Sequence, residues 1–173
     1  MRPTPSPRPA LLVALVALVA GWLLLAGSPA FAQQHYWYDG AVRRPLWSDA
    51  ALVADFSVPV AEKSRVLRPA ALSKGPDAST SPVFRDSRDS QARPRALPGG
   101  VIVTTATDMP EDARRSLFAR HGLQTVRELG AGTGRWLVAG PVGIGSLELA
   151  NRLYESGDFA GASPNWWHPR TRK

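Results

Sequence analysis

No cysteine occurs among the 173 residues. That absence excludes a disulfide framework, thiolate catalysis, iron–sulfur ligation, a cysteine-based zinc site and a lipid anchor on an N-terminal cysteine. Histidine is scarce too. His35, His121 and His168 lie far apart along the chain, so no histidine-based metal site is expected. No Gly-x-Ser-x-Gly elbow, His-Glu-x-x-His pair or phosphate-binding glycine loop is present. The run Gly130-Ala131-Gly132-Thr133-Gly134 joins two strand-like segments instead of opening a helix, which separates it from a dinucleotide-binding loop. Asp108, Glu111 and Asp112 are spaced as helix-start acids, not as a catalytic dyad. The residues therefore assign no catalytic group, no cofactor and no metal.

Acidic side chains are absent before Asp39, and that stretch has the form of an export signal. Arg2 and Arg8 precede an apolar run from Ala10 to Gly27, Ser28 and Pro29 stop a helix, and Ala30-Phe31-Ala32 has the small-x-small form of a signal-peptidase site. Residues 1–32 are expected to be a cleavable signal peptide. The mature chain is then secreted or periplasmic, without stable membrane insertion. An uncleaved anchor is the competing reading, because about 18 apolar residues approach the lower limit of a span. Basic groups number 21 against 14 acidic ones, for a net charge of +7. Loss of Arg2 and Arg8 leaves the mature chain basic. The excess sits at Arg43-Arg44, between Lys63 and Arg95, and at Arg170, Arg172 and Lys173. Apart from the pair Arg43-Arg44 these are linker and tail positions, so a soluble cationic surface is expected and no nucleic-acid partner.

Beyond residue 32 the composition changes twice. Residues 33–57 read as an aromatic β-hairpin. His35-Tyr36-Trp37-Tyr38 is strand-prone, Asp39-Gly40 is a turn pair of the type I′ kind, and Val42 to Trp47 resumes the strand. A lone hairpin is marginal in water, so Trp37 and Trp47 need a surface to pack on. Residues 58–98 are rich in Pro, Ser, Asp and Arg and read as a flexible linker, too poor in apolar surface to offset its ordering entropy.

Residues 99–173 read as an α+β domain with a C-terminal tail. Val101 to Thr105 forms a buried strand. Asp108 is placed to cap a helix with Pro110 in its first turn and Glu111 as capping-box partner, and Gly122 ends it in a left-handed cap. Leu123 to Leu129 alternates like a half-buried strand, and Trp136 to Ala139 forms the next. A second helix starts near Ile144 or Ser146, carries Leu147, Ala150 and Leu153 on its apolar face and stops at Gly157. Phe159 to Ser163 is a fourth strand. Strand, helix, strand, strand, helix, strand is the ferredoxin-like split βαβ order: a four-stranded antiparallel sheet with two helices on one face. Its other face must be covered or must bind something.

The segment Leu149-Ala150-Asn151-Arg152-Leu153-Tyr154-Glu155-Ser156-Gly157-Asp158-Phe159, followed by Ala162-Ser163-Pro164-Asn165, resembles the end of the propeptide of secreted bacterial subtilisin-like serine proteases. Tyr36-Trp37-Tyr38-Asp39-Gly40 with Arg44-Pro45-Leu46 is similar to the aromatic hairpin that opens many large precursors of that group. The likeness is loose over residues 35–57 and firmer over 97–169. None of the protease's Asp, His or Ser signature blocks is present. The resemblance therefore implies a non-enzymatic inhibitor or folding chaperone acting in trans on a subtilisin-like serine protease. It further implies that Pro164, Asn165, Trp166, Trp167, His168 and Pro169 bind the partner, the strand reaching into its active-site cleft while the tryptophans anchor. Packing of Trp166 and Trp167 onto this chain's own hairpin is the alternative. An orphaned prodomain of a split protease gene, or an envelope ligand-binding or structural module, are the other functional readings.

Overall fold

The computed structural model describes residues 35–57, 66–73, 75, 77–89 and 91–169. The expected signal peptide at residues 1–32 lies outside them, as do the basic residues Arg170, Arg172 and Lys173. The described chain is α+β, with two helices and two four-stranded antiparallel sheets.

The first sheet is built on one long strand. β1 (His35–Asp39) turns into β2 (Val42–Asp55), and the pairing runs from His35 opposite Leu46 to Asp39 opposite Val42. The two-residue turn is therefore Gly40-Ala41, one position later than the expected Asp39-Gly40. Only Gly40 has positive φ, at 58°, which is the sign pattern of a type II′ turn and not of type I′. The second half of β2 pairs with β3 (Leu67–Pro69) and with β4 (Thr80–Arg85), with a register shift between Asp49 and Val53.

β3 and β4 fall inside the stretch expected to be a flexible linker, residues 58–98. The physical reason is local. Val83 and Phe84 of β4 are fully buried, as are Ala96 and Leu97 further on. The buried polar residue of the same strand is satisfied: Ser81 Oγ donates to Pro82 O at 2.8 Å and accepts from Leu97 N–H at 3.0 Å. Asp49 and Arg85 pair across β2 and β4 at 2.7 Å. A few well-placed apolar groups and matched polar ones offset the entropy that average composition counted against this segment.

The second sheet comprises β5 (Val101–Thr104), β6 (Thr125–Glu128), β7 (Arg135–Val138) and β8 (Gly161–Pro164), laterally ordered β6-β7-β5-β8 with every neighbour antiparallel. Helix α1 (Glu111–Arg120) connects β5 to β6, and α2 (Ile144–Glu155) connects β7 to β8. Strand alternation sorts the faces. Val101, Val103, Val138 and Ala162 meet Leu117 and Phe118 of α1 and Ala150 and Leu153 of α2 in one core, so both helices lie on the same side. Burying each such Val, Leu or Phe contributes about 1.5–3 kcal/mol.

Helix α1 has no side-chain cap. Pro110, not Asp108, holds the N-cap position, and its carbonyl accepts the first helical N–H, from Arg114, at 3.0 Å. Glu111 and Asp112 pair instead with Arg115 of the same helix, at 2.7 and 3.1 Å. The C-terminus follows the expectation: Gly122 has φ 63°, its N–H reaches Ala119 O, and Leu123 N–H reaches Phe118 O. That pair of bonds, with Leu123 and Phe118 in the same core, is a Schellman ending.

Candidate functional site

The six residues expected to meet a partner are held by the chain itself. Pro164 ends β8, fully buried opposite Val101. Asn165 donates its backbone N–H to Gly100 O at 3.2 Å and its amide Nδ2 to Gly99 O at 3.0 Å. Trp166 enters a cluster of Leu46, Phe84, Leu97 and Leu147, edge-on to Trp37 and Phe84. Trp167 pairs with Ala96 through both backbone bonds, at 2.9 and 3.0 Å, and its ring lies with Ala54, Val66 and Val83, edge-on to Phe56. His168 Nδ1 lies 3.4 Å from Pro94 O, and Pro169 O accepts from Arg93 at 3.3 Å. The tail is thus packed on this chain's own residues, the arrangement given above as the alternative to a free arm, and Trp167 joins Ala96 in an isolated antiparallel bridge. The indoles are the cause: beside the hairpin they exchange water for apolar walls without leaving the molecule.

Burial lowers the His168 pKa, and the neighbouring Arg95 and Arg93 add to this against the opposing effects of Pro94 O and Asp86. The guanidinium of Arg95 lies over Trp166 at 5.0 Å and over Trp37 at 5.2 Å while it pairs with Asp86. Beside it a cleft of about 410 Å³ is lined by Trp37, Asp39, Arg44, Pro45, Asp86 and Arg95. Trp37 Nε1, Trp166 Nε1 and Arg95 Nε are buried without an acceptor.

The hairpin docks on α2 through polar contacts that composition did not announce. Tyr36 and Tyr38 hydroxyls both donate to Glu155 Oε1 at 3.0 Å, and this bond is the main cause of their raised pKa values. Tyr38 stacks on Tyr154 with ring centroids 4.1 Å apart, and Asn151 Nδ2 donates to Tyr36 O at 3.0 Å. Burial lowers the pKa of His35, opposed by nearby Glu148. Just past the C-termini of α1 and α2, His121 meets Asp158 at 2.7 Å.

The second sheet has another face, turned away from the helices. Register places Ile102 and Thr104 of β5, Leu137 and Arg135 of β7, Ser163 of β8 and Arg127 of β6 on it. Ile102 and Leu137 are half-buried and belong to none of the three core clusters. Arg127 and Arg135 are exposed. Sequence reasoning expected an open face without naming its residues. The signal was available in the period-2 alternation of Arg135-Trp136-Leu137-Val138.

Comparison of the chain with protein-family models, with curated proteins and with solved structures finds no match.

Proposed function

We propose that this chain is a propeptide-like module of the ferredoxin-like split βαβ kind. Through the open face of its second sheet it engages a subtilisin-like serine protease, acting in trans as folding chaperone or inhibitor. The observation that carries this reading is the uncovered face at Ile102 and Leu137, opposite a complete helical layer. Support comes also from the lateral order β6-β7-β5-β8 with α1 and α2 on one side, the arrangement split βαβ connectivity produces. The docked tail divides the two activities. Sheet docking leaves residues 165–169 in place, whereas insertion into an active-site cleft requires Trp166 and Trp167 to leave their clusters. Chaperoning is therefore the favoured activity, and inhibition carries the cost of releasing the tail.

The test is to refold a denatured subtilisin-like protease with and without the purified protein, and to follow hydrolysis by the native enzyme. Faster recovery of activity supports the chaperone arm, and slowed hydrolysis the inhibitor arm. Neither effect at micromolar protein removes the reading. A second reading, an envelope ligand-binding module, is favoured by the cleft beside Trp37 and Arg95. A stable dimer without protease affinity would support a structural module in place of both.

A further inference from the structure

Resting on the docking reading above, we infer that the partner surface seated on the open face of the second sheet is acidic, and that the contact is transient and steered by charge. The face has an aliphatic centre, Leu137 beside Ile102, and a cationic margin, Arg127 opposite Leu137 and Arg135 opposite Thr104. No carboxylate shares it among the described strand residues. Glu128, the one acid in these strands, is opposite Trp136 and so on the helix side, where its Oε1 accepts from Gly132 N–H at 3.0 Å. Neither Arg127 nor Arg135 makes an ion pair among the described residues. The acids of α1, by contrast, are engaged by Arg115. Two uncompensated guanidinium groups beside an apolar strip repel a basic surface and attract a carboxylate-bearing one.

Size decides what kind of contact this is. Four strands about 4.8 Å apart and four residues at about 3.3 Å each make a face of roughly 250 Å². That is about a third of the ~800 Å² a side found in stable complexes, so apolar area alone does not hold a partner here. Charge then supplies encounter rate and orientation, and salt weakens the contact.

The experiment measures binding of the purified full chain to an acidic subtilisin-like protease domain whose nucleophilic serine is replaced by alanine. The same domain with its surface carboxylates amidated, and phosphatidylglycerol vesicles, are run beside it. Arg127→Glu, Arg135→Glu and the double variant are compared with Arg127→Ala and Arg135→Ala, and circular dichroism checks that each folds. The expected result is a loss of about tenfold or more in affinity for the double reversal at low salt, a smaller loss for the alanines, and weakening of wild type by 0.5 M salt and by amidation. Binding that ignores charge reversal, salt and amidation overturns the acidic partner while the propeptide reading stands. No binding to the protease overturns both. Arginine-dependent binding to vesicles alone replaces the protein partner with an anionic membrane and overturns the inference as stated.

Discussion

Trp166 meets Trp37 edge to face, with ring centroids 5.5 Å apart and planes at 78°. One comes from the first strand and the other from the last described segment, so the contact closes the described chain on itself. Around it lie Leu46, Phe84, Leu97 and Leu147, all buried, drawn from β2, β4, the segment before β5, and α2. The pair therefore ties the first sheet to the second helix and to the segments that flank β5 and β8, which is a structural role.

Replacing Trp166 with alanine is expected to cost about 3 kcal/mol, the usual scale for removing a large aromatic from a packed site. A double-mutant cycle with Trp37→Ala should return a coupling of about 1 kcal/mol, as edge-to-face pairs do. Urea unfolding followed by circular dichroism measures both. A loss below about 0.5 kcal/mol would mean that the tail contributes nothing to the fold and is free to serve a partner.

The parts of the fold that the sequence made legible are those in which one residue type has one physical job. Gly122 had to end a helix because only glycine enters the left-handed region cheaply there, and Val101-Ile102-Val103 had to be a strand buried on one face. The parts that stayed hidden depend on pairing at long range. Ser81 reads as a loop residue until Leu97 supplies the N–H that its hydroxyl accepts, and Arg85 reads as linker charge until Asp49 lies diagonally across from it on β2. The same holds for the tail. Nothing local in Pro164-Asn165-Trp166-Trp167 distinguishes an arm offered to a partner from a segment folded back on Ala96. The open-face arginines were half legible: alternation marks them as outward, but which outward face stays uncovered is set by where the helices pack.

Acid is expected to loosen the tail. The folded-state pKa of His168 lies below its ordinary value of 6.5, chiefly because burial disfavours the charged ring. The unfolded chain then binds this proton more tightly than the folded one. The associated stability is complete above pH 6.5 and is lost as pH falls through the lowered folded value. His35, also lowered by burial, acts in the same direction. Melting temperatures between pH 7.5 and pH 5 should fall for the wild type and fall less for His168→Gln. Parallel curves for the two would place the acid sensitivity elsewhere.

Two glycines with nearly the same φ separate strain from crowding. Gly122 and Gly134 have φ of 63° and 65°. A Cβ at Gly122 would meet nothing within 4 Å, whereas one at Gly134 would sit 2.6 Å from Thr105 O. That carbonyl cannot move freely, because Thr105 is buried and its N–H donates to Gly134 O at 2.9 Å, tying the turn between β6 and β7 to the end of β5. Gly122→Ala is therefore expected to cost about 1 kcal/mol, the cost of placing a side chain in the left-handed region. Gly134→Ala adds a backbone clash and is expected to cost at least about 1 kcal/mol more. Chemical denaturation of the two variants beside wild type measures the difference. Equal losses would show that the Thr105 carbonyl yields, and that the junction of β5 with the β6–β7 turn is softer than its hydrogen bonds imply.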